Sequence, residues 1–195
     1  MKELKFIHIT KTGGTSIEDI GIKNGKKWGR FDKEYNIGFR GSDIWHTKFT
    51  LLSNHVKLKY DWFTVVRNPY ERLISEFYCP WGGGGIPNKF TCSKDEFNKI
   101  LKEKILYHHS QVWGHWVPQH FYIDPNINIH IIRFENLVKE FNELMKKYNY
   151  NIDIDMHSNM GKKIFTVDDL SNEVISLINN IYHKDFEMFG YEKII

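Results

Sequence analysis

The order of strand, tight turn and helix constrains the fold of this chain more than any other feature of its sequence. Residues 4–9 alternate in the manner of a strand and run into a turn at Gly13 and Gly14. Ile17 and Ile20 then stand at helical spacing. The segment therefore predicts a strand that leads through a glycine turn into a helix.

A second segment has the same order. Residues 62–66 form a short apolar run rich in β-branched side chains, which stops at Arg67. Asn68 suits the N-cap of a helix and Pro69 suits its first position, so a helix is predicted over residues 70–78.

The rest of the chain continues the alternation. A third strand is predicted over residues 127–134 and a helix over 135–148, with further helices over 93–107 and 168–182. Alternating strands and helices predict an α/β fold, with a central parallel sheet flanked by helices and ligands at the carboxyl ends of the strands. Neither a linker nor a repeat interrupts residues 1–195, which are predicted to form a single domain.

Composition excludes several functional classes. With 27 basic and 24 acidic residues the formal net charge is only +3, so nucleic acid is not a predicted partner. No apolar run reaches the length of a membrane span and the first residues do not resemble an export signal, so a cytoplasmic protein without membrane insertion is expected. Cys79 and Cys92 are accordingly expected to be reduced.

The first turn has the residue types of a phosphate-binding loop. Its small residues let backbone N–H groups converge on an anion in front of a helix, while a lysine and two hydroxyls add charge and hydrogen bonds. The loop consists of Lys11, Thr12, Gly13, Gly14, Thr15 and Ser16. A plain glycine turn with a solvated lysine is the alternative. Because Lys11 precedes the glycines, the spacing does not match a Walker A motif.

The second turn suits a phosphate dianion. Arg67 ends a predicted strand and offers a guanidinium fork, and Ser75 adds a hydroxyl two helical turns later. The alternative is a surface ion pair beside a solvent-facing serine.

These two segments resemble the donor-binding motifs of the sulfotransferases. Residues 11–16 look like the family's 5′-phosphosulfate loop, and residues 65–78 look like its 3′-phosphate motif. The resemblance implies a P-loop NTPase-like three-layer fold. It also implies 3′-phosphoadenosine 5′-phosphosulfate (PAPS) as the donor and an acceptor hydroxyl, which a glycan could supply. Among these enzymes the chain is most similar to the Golgi-type carbohydrate group, which includes heparan sulfate 2-O-sulfotransferase.

Weaker similarities extend the resemblance over nearly the whole chain. Residues 115–119, 131–137 and 185–191 are similar to segments of the carbohydrate sulfotransferases. They imply an acceptor site with His115, Trp116 and Gln119. Residues 157–163 are similar to a basic loop over the nucleotide, which implies that Lys162 contacts the donor.

The expected reaction is an in-line transfer with a loose transition state, and Lys11 is the predicted stabiliser of charge on the leaving phosphate. His46 is the predicted base for the acceptor hydroxyl, with Glu18 and His55 as alternatives. His108, His109, His115 and His120 match no zinc motif, so no metal is predicted. Residues 47–60 and 82–92 are predicted to be loops that determine acceptor specificity.

Two other functions stay open at this point. A small P-loop nucleotide kinase shares the order of strand, phosphate loop and helix, although it needs Mg²⁺ and usually has its lysine after the second glycine. A non-catalytic nucleotide-binding module would keep the donor motifs without the acceptor chemistry. Measuring turnover after substitution of the predicted base distinguishes an enzyme from this non-catalytic module.

Overall fold

The computed structural model describes most of the chain, namely residues 1–29, 48–80, 86, 88–111, 114–155 and 163–195. The contacts divide it into two compact units. The first unit comprises Met1–Val66 and Phe121–Met160, and the second comprises Arg67–His120 and Gly161–Ile195. The single domain over residues 1–195 stays a prediction.

The first unit contains a parallel sheet of three strands in the order β1-β2-β3, with β1 Leu4–Ile7, β2 Asp61–Val66 and β3 Ile129–Arg133. Ile7 is paired with Thr64, and Val66 with Arg133. The Thr64 hydroxyl donates to the Ile7 carbonyl at 2.8 Å. All three strands point the same way, which confirms the predicted parallel sheet.

Helices lie against this sheet. Helix α1 spans Gly14–Lys23, α2 spans Asn54–Lys59 and α5, near the end of the unit, spans Leu137–Lys147. One sheet face, α1 and α5 share a buried cluster that includes Phe6, Phe63 and Phe141. On the opposite face of β2, Trp62 packs edge-on against Phe49 at 4.8 Å and donates from its indole N–H to the carbonyl of Lys57 in α2. The α/β prediction with flanking helices is confirmed.

The second unit is helical in the part that the structure describes. It contains α3 Pro69–Phe77, α4 Lys94–His108, α6 Asn172–Ile181 and α7 His183–Phe189. A core of its own joins them, built from apolar side chains such as Leu73, Phe97 and Ile178. Cys79 and Cys92 are both free thiols, as expected. No helix in the described ranges is long and apolar enough to cross a bilayer.

Two expectations about local structure are wrong. Residues 47–60, expected to be a loop, contain a 3₁₀ turn at Phe49–Leu51 and helix α2, whose N-cap Ser53 accepts a hydrogen bond from Val56 N. The helix expected over 168–182 begins only at Asn172, because Ser171 caps it and residues 167–169 form a separate 3₁₀ turn. Helix α7 follows and was not predicted.

The start of α3 generates a first prediction. The Asn68 side-chain oxygen accepts from the backbone N–H groups of Tyr70 and Glu71 at 3.0 and 3.4 Å. Asn68→Ala removes this cap, so we expect it to lower the free energy of unfolding by about 1 kcal/mol, measured by urea denaturation. Asn68→Asp keeps an acceptor and serves as the control. Equal losses in both variants would contradict the capping role.

Candidate functional site

The glycine loop of the first unit presents the N-terminus of α1. Gly13 is the N-cap residue with φ 86°, and it has no side chain with which to cap the helix. The first turn of α1 contains no acidic residue. The first N–H groups of a helix have no intrahelical partner and carry its positive dipole end, so this terminus favours an anion.

Three side chains of the loop are accessible and one is not. Lys11, Thr15 and Ser16 are at least partly exposed, whereas Thr12 is buried and its hydroxyl donates to the Ile9 carbonyl at 2.8 Å. Lys11 has the left-handed φ of 59°, which a residue with a side chain rarely adopts. The structure therefore assigns Thr12 to holding the turn, and leaves the lysine and two hydroxyls accessible to an anion.

Close packing explains why both loop glycines are needed. A Cβ on Gly14 would lie 2.4 Å from the His8 imidazole, and a Cβ on Gly13 would lie 3.2 Å from the side chains of Leu137 and Phe134. Both distances are shorter than normal van der Waals contacts. The loop thus runs so close to its neighbours in the first unit that larger residues do not fit.

Glu18 is buried beneath this loop. Its carboxylate is fully inaccessible and lies 3.2 Å from Nδ1 of His8, which is also buried. A general base must be accessible to the acceptor hydroxyl, and the Glu18 carboxylate is closed off from solvent. Its role as a base stays a prediction. The other alternative, His55, is exposed on α2.

In the second unit, one face of α3 gathers the predicted 3′-phosphate residues. Arg67, just before α3, has its Nη2 atom 3.2 Å from Oε2 of Glu71, and the Lys163 Nζ atom lies 3.4 Å from the same oxygen. Ser75 is one turn beyond Glu71 on this partly exposed face. Two cations thus converge on one carboxylate oxygen, one helical turn before Ser75, and such a pair of cations can also hold a phosphate.

The adjacent, buried face of α3 carries a charged network. Arg72 and Glu76 are inaccessible to solvent, with 3.6 Å between Nη1 and Oε1. The Arg72 guanidinium donates to the carbonyls of His115 and Val117 at 2.9 and 3.0 Å. His115 donates from Nδ1 to Glu76 Oε2 at 2.8 Å.

This network controls the charge of His115. Burial by itself lowers the pKa of His115, but hydrogen bonds to Cys79 and Glu76, together with the charge of Glu76, raise it to about 10. The imidazole is therefore positively charged at neutral pH and cannot accept a proton there. Charged His115 suits binding of an anion or an internal ion pair better than base catalysis.

Glu76, Cys79 and His115 are also the one group with the donor set of a metal site among the described residues. Their ligand atoms lie within 4.8 Å of one another, and carboxylate, thiolate and imidazole are zinc ligands. The Glu76 carboxylate is, however, already engaged by Arg72 and His115. We assign no metal to this group, and the metal-free reaction stays a prediction.

The other predicted acceptor residues lie inside the second unit. Trp116 is buried in its core, and Gln119 is fully buried against the backbone of Arg67. Both side chains have structural roles here, so contact with an acceptor would require that they become accessible, and it stays a prediction. His120 is mostly buried and lies 2.7 Å from Asp185 Oδ1.

Two predicted site residues, His46 and Lys162, lie outside the described residues, as do residues 82–85 and 87 of the predicted specificity loop. Sequence reasoning missed Arg72, Glu76 and Asp185. Arg72 and Glu76 have the i,i+4 spacing that is common on exposed helix faces, but they alternate with Leu73 and Phe77, which pack in the core. The apolar neighbours Leu73 and Phe77 could have indicated from the sequence that Arg72 and Glu76 are buried.

Comparison with known proteins supplies independent information. A model of the sulfotransferase family matches residues 2–192, almost the entire chain. No curated protein matches the chain significantly. The family match spans both units and both predicted phosphate-binding segments.

The contact between the loop and His8 generates a second prediction. Gly14→Ala forces its Cβ onto the imidazole, so we expect a loss of about 1–3 kcal/mol in the free energy of unfolding, as is typical of overpacking. His8→Ala in the same chain removes the clash, and we expect it to recover part of that loss in a double-mutant cycle measured by urea denaturation. Additive effects of the two substitutions would contradict the proposed clash.

A third prediction concerns pH. Because the pKa of His115 rises from 6.5 to about 10 on folding, the protonated imidazole stabilises the protein fully below pH 6.5, and this stabilisation is lost as pH rises through about 10. We expect the difference in unfolding free energy between wild type and His115→Gln to shrink over that range. Urea denaturation of both proteins at each pH measures it. A difference independent of pH would contradict the charge assigned to His115.

Proposed function

Because the chain belongs to the sulfotransferase family, we propose that it transfers the sulfuryl group of PAPS to a hydroxyl group of a carbohydrate or another small acceptor. The family match supports sulfuryl transfer in general, and PAPS is the donor that sulfotransferases generally use. The observation that carries the choice of donor is the glycine loop, which leaves the N-terminus of α1 and the side chains of Lys11, Thr15 and Ser16 accessible to an anion.

Each end of the donor has candidate partners. The loop at residues 11–16 suits the 5′-phosphosulfate because it combines backbone N–H groups with a cation. Arg67 and Ser75 suit the 3′-phosphate, and Lys163 shares the Glu71 carboxylate with Arg67. Lys162, next to Lys163 in the chain, is proposed to contact the donor as well.

The proposed chemistry assigns one task to each side chain. The acceptor oxygen forms a bond to sulfur as the bond between sulfur and the bridging phosphate oxygen breaks. Lys11 donates a hydrogen bond to that bridging oxygen, where negative charge develops. His46 takes the proton of the acceptor hydroxyl. Within the family we propose a relation to the Golgi-type carbohydrate enzymes, on the similarity of residues 115–119, 131–137 and 185–191.

A fourth prediction tests the donor and the roles of its two main cations. Isothermal titration calorimetry with 3′-phosphoadenosine 5′-phosphate should show binding without Mg²⁺, and Mg²⁺-ATP should bind more weakly. Arg67→Ala should weaken this binding about 10- to 100-fold, the loss expected for a charge-assisted bidentate contact. Arg67→Lys keeps the charge without the guanidinium fork, so its affinity should lie between those of wild type and Arg67→Ala.

Lys11→Ala should instead lower kcat with PAPS by about 100-fold while changing donor affinity far less, because its interaction strengthens in the transition state. Lys23→Ala, at the exposed end of the same helix, is the matched control and should leave both values unchanged. A preference for Mg²⁺-ATP would overturn the proposal in favour of a kinase. Donor binding without turnover on any hydroxyl acceptor would favour the non-catalytic module.

A further inference from the structure

The buried amide of Gln119 holds the backbone of Arg67 from both sides. Oε1 of Gln119 accepts from Arg67 N at 2.9 Å, and Nε2 of Gln119 donates to the Arg67 carbonyl at 2.8 Å. Arg67 lies between the last residue of β2 and the first residue of α3, so it takes part in neither element. The amide therefore supplies hydrogen bonds that regular secondary structure does not provide at this residue.

Asp185 holds Gln119 in turn. This carboxylate in α7 is fully buried, and its Oδ2 accepts from Gln119 N at 2.7 Å. Its Oδ1 accepts from His120 N at 2.8 Å and contacts His120 Nδ1 at 2.7 Å. A buried carboxylate is costly unless hydrogen bonds compensate it, so these short contacts fix the backbone at residues 119 and 120 firmly.

The two sets of contacts form a continuous connection from Asp185 through Gln119 to Arg67, entirely within the second unit. We propose that Asp185 is a positioning residue for the nucleotide, which acts through Gln119 to aim the Arg67 guanidinium at the 3′-phosphate. The inference rests on the proposed function, since it takes Arg67 as the 3′-phosphate ligand. It adds Gln119 and Asp185, which act through Arg67 and determine how strongly the site prefers a nucleotide with a 3′-phosphate.

The test compares two ligands that differ only in the 3′-phosphate. Calorimetry gives the Kd of 3′-phosphoadenosine 5′-phosphate and of adenosine 5′-monophosphate for each protein. Gln119→Met keeps the side-chain size but removes both hydrogen bonds to Arg67. We expect it to weaken binding of the bisphosphate about tenfold and to leave the Kd of the monophosphate within about twofold of the wild-type value. The ratio of the monophosphate Kd to the bisphosphate Kd should thus fall about tenfold.

Asn98 offers a matched control for Gln119. It is a buried amide of the same unit that also bonds to backbone, at the carbonyls of Lys94 and Asp169 and at Ser171 N, and it does not contact Arg67. Asn98→Leu removes a comparable set of hydrogen bonds, so it should lower the melting temperature without changing the ratio of Kd values. A purely structural role of Gln119 predicts the same behaviour for Gln119→Met and would overturn the proposal.

A second variant acts one step farther away. Asp185→Asn keeps the shape but places an amide group where the carboxylate accepts from two backbone N–H groups, so we expect the same selective loss, less than or equal to that of Gln119→Met. Asp169→Asn is its control, because Asp169 also accepts from a backbone N–H, that of Thr166, at 2.9 Å. In the Arg67→Ala background, Gln119→Met should have no further effect on the ratio of Kd values.

The outcomes separate this inference from the proposed function. If wild type does not prefer the bisphosphate, or if Arg67→Ala keeps that preference, the 3′-phosphate site itself is wrong and the inference is overturned with it. If Arg67→Ala abolishes the preference and either Gln119→Met or Asp185→Asn retains it, only the positioning role is overturned. Selective loss in both Gln119→Met and Asp185→Asn, with unchanged ratios in the two controls, supports the inference.

Discussion

The parallel pairing of β2 with β1 on one side and β3 on the other is the constraint on which the first unit depends. It places the carboxyl ends of all three strands at one edge of the sheet, with Ile7 beside Thr64 and Val66 beside Arg133. The segments that leave β1 and β3 therefore start at the same edge of the sheet, on either side of β2. Gly13 lies against the side chains of Phe134 and Leu137, where an added Cβ would be only 3.2 Å away. The predicted phosphate loop is thus packed closely against the segment that follows β3.

The second unit depends on buried charge instead of strand pairing. The guanidinium of Arg72 and the carboxylate of Asp185 both lie away from solvent, and each binds backbone groups of the segment at residues 115–120. Removing one partner of such a buried set leaves an uncompensated charge, which typically costs about 3–5 kcal/mol. These contacts hold an irregular segment in one conformation. They bring Gln119 to the backbone of Arg67, so a structural network also supports the candidate donor site.

Local signals in the sequence predicted the element order well because each signal depends on residues close together in the chain. The capping residue Asn68 and the following Pro69 located the start of α3 correctly, and apolar alternation located the strands within two residues at their ends. Helix α2 was missed because its short stretch of charged residues has no clear apolar face. The second phosphate-binding segment was predicted from residue type, but no local signal indicated that Lys163 shares the Glu71 carboxylate with Arg67.

The sequence by itself determined the α/β class and the family resemblance, and it predicted two anion-binding segments, because hydrophobic spacing, turn residues and motif order are all local properties. Only the tertiary structure decided which charges are buried and what each one binds. Gln119 lies 52 residues from Arg67 and 66 residues from Asp185 in the chain. Contacts over such separations depend on how helices pack, and packing responds to shape and burial over a whole unit rather than to spacing within one segment.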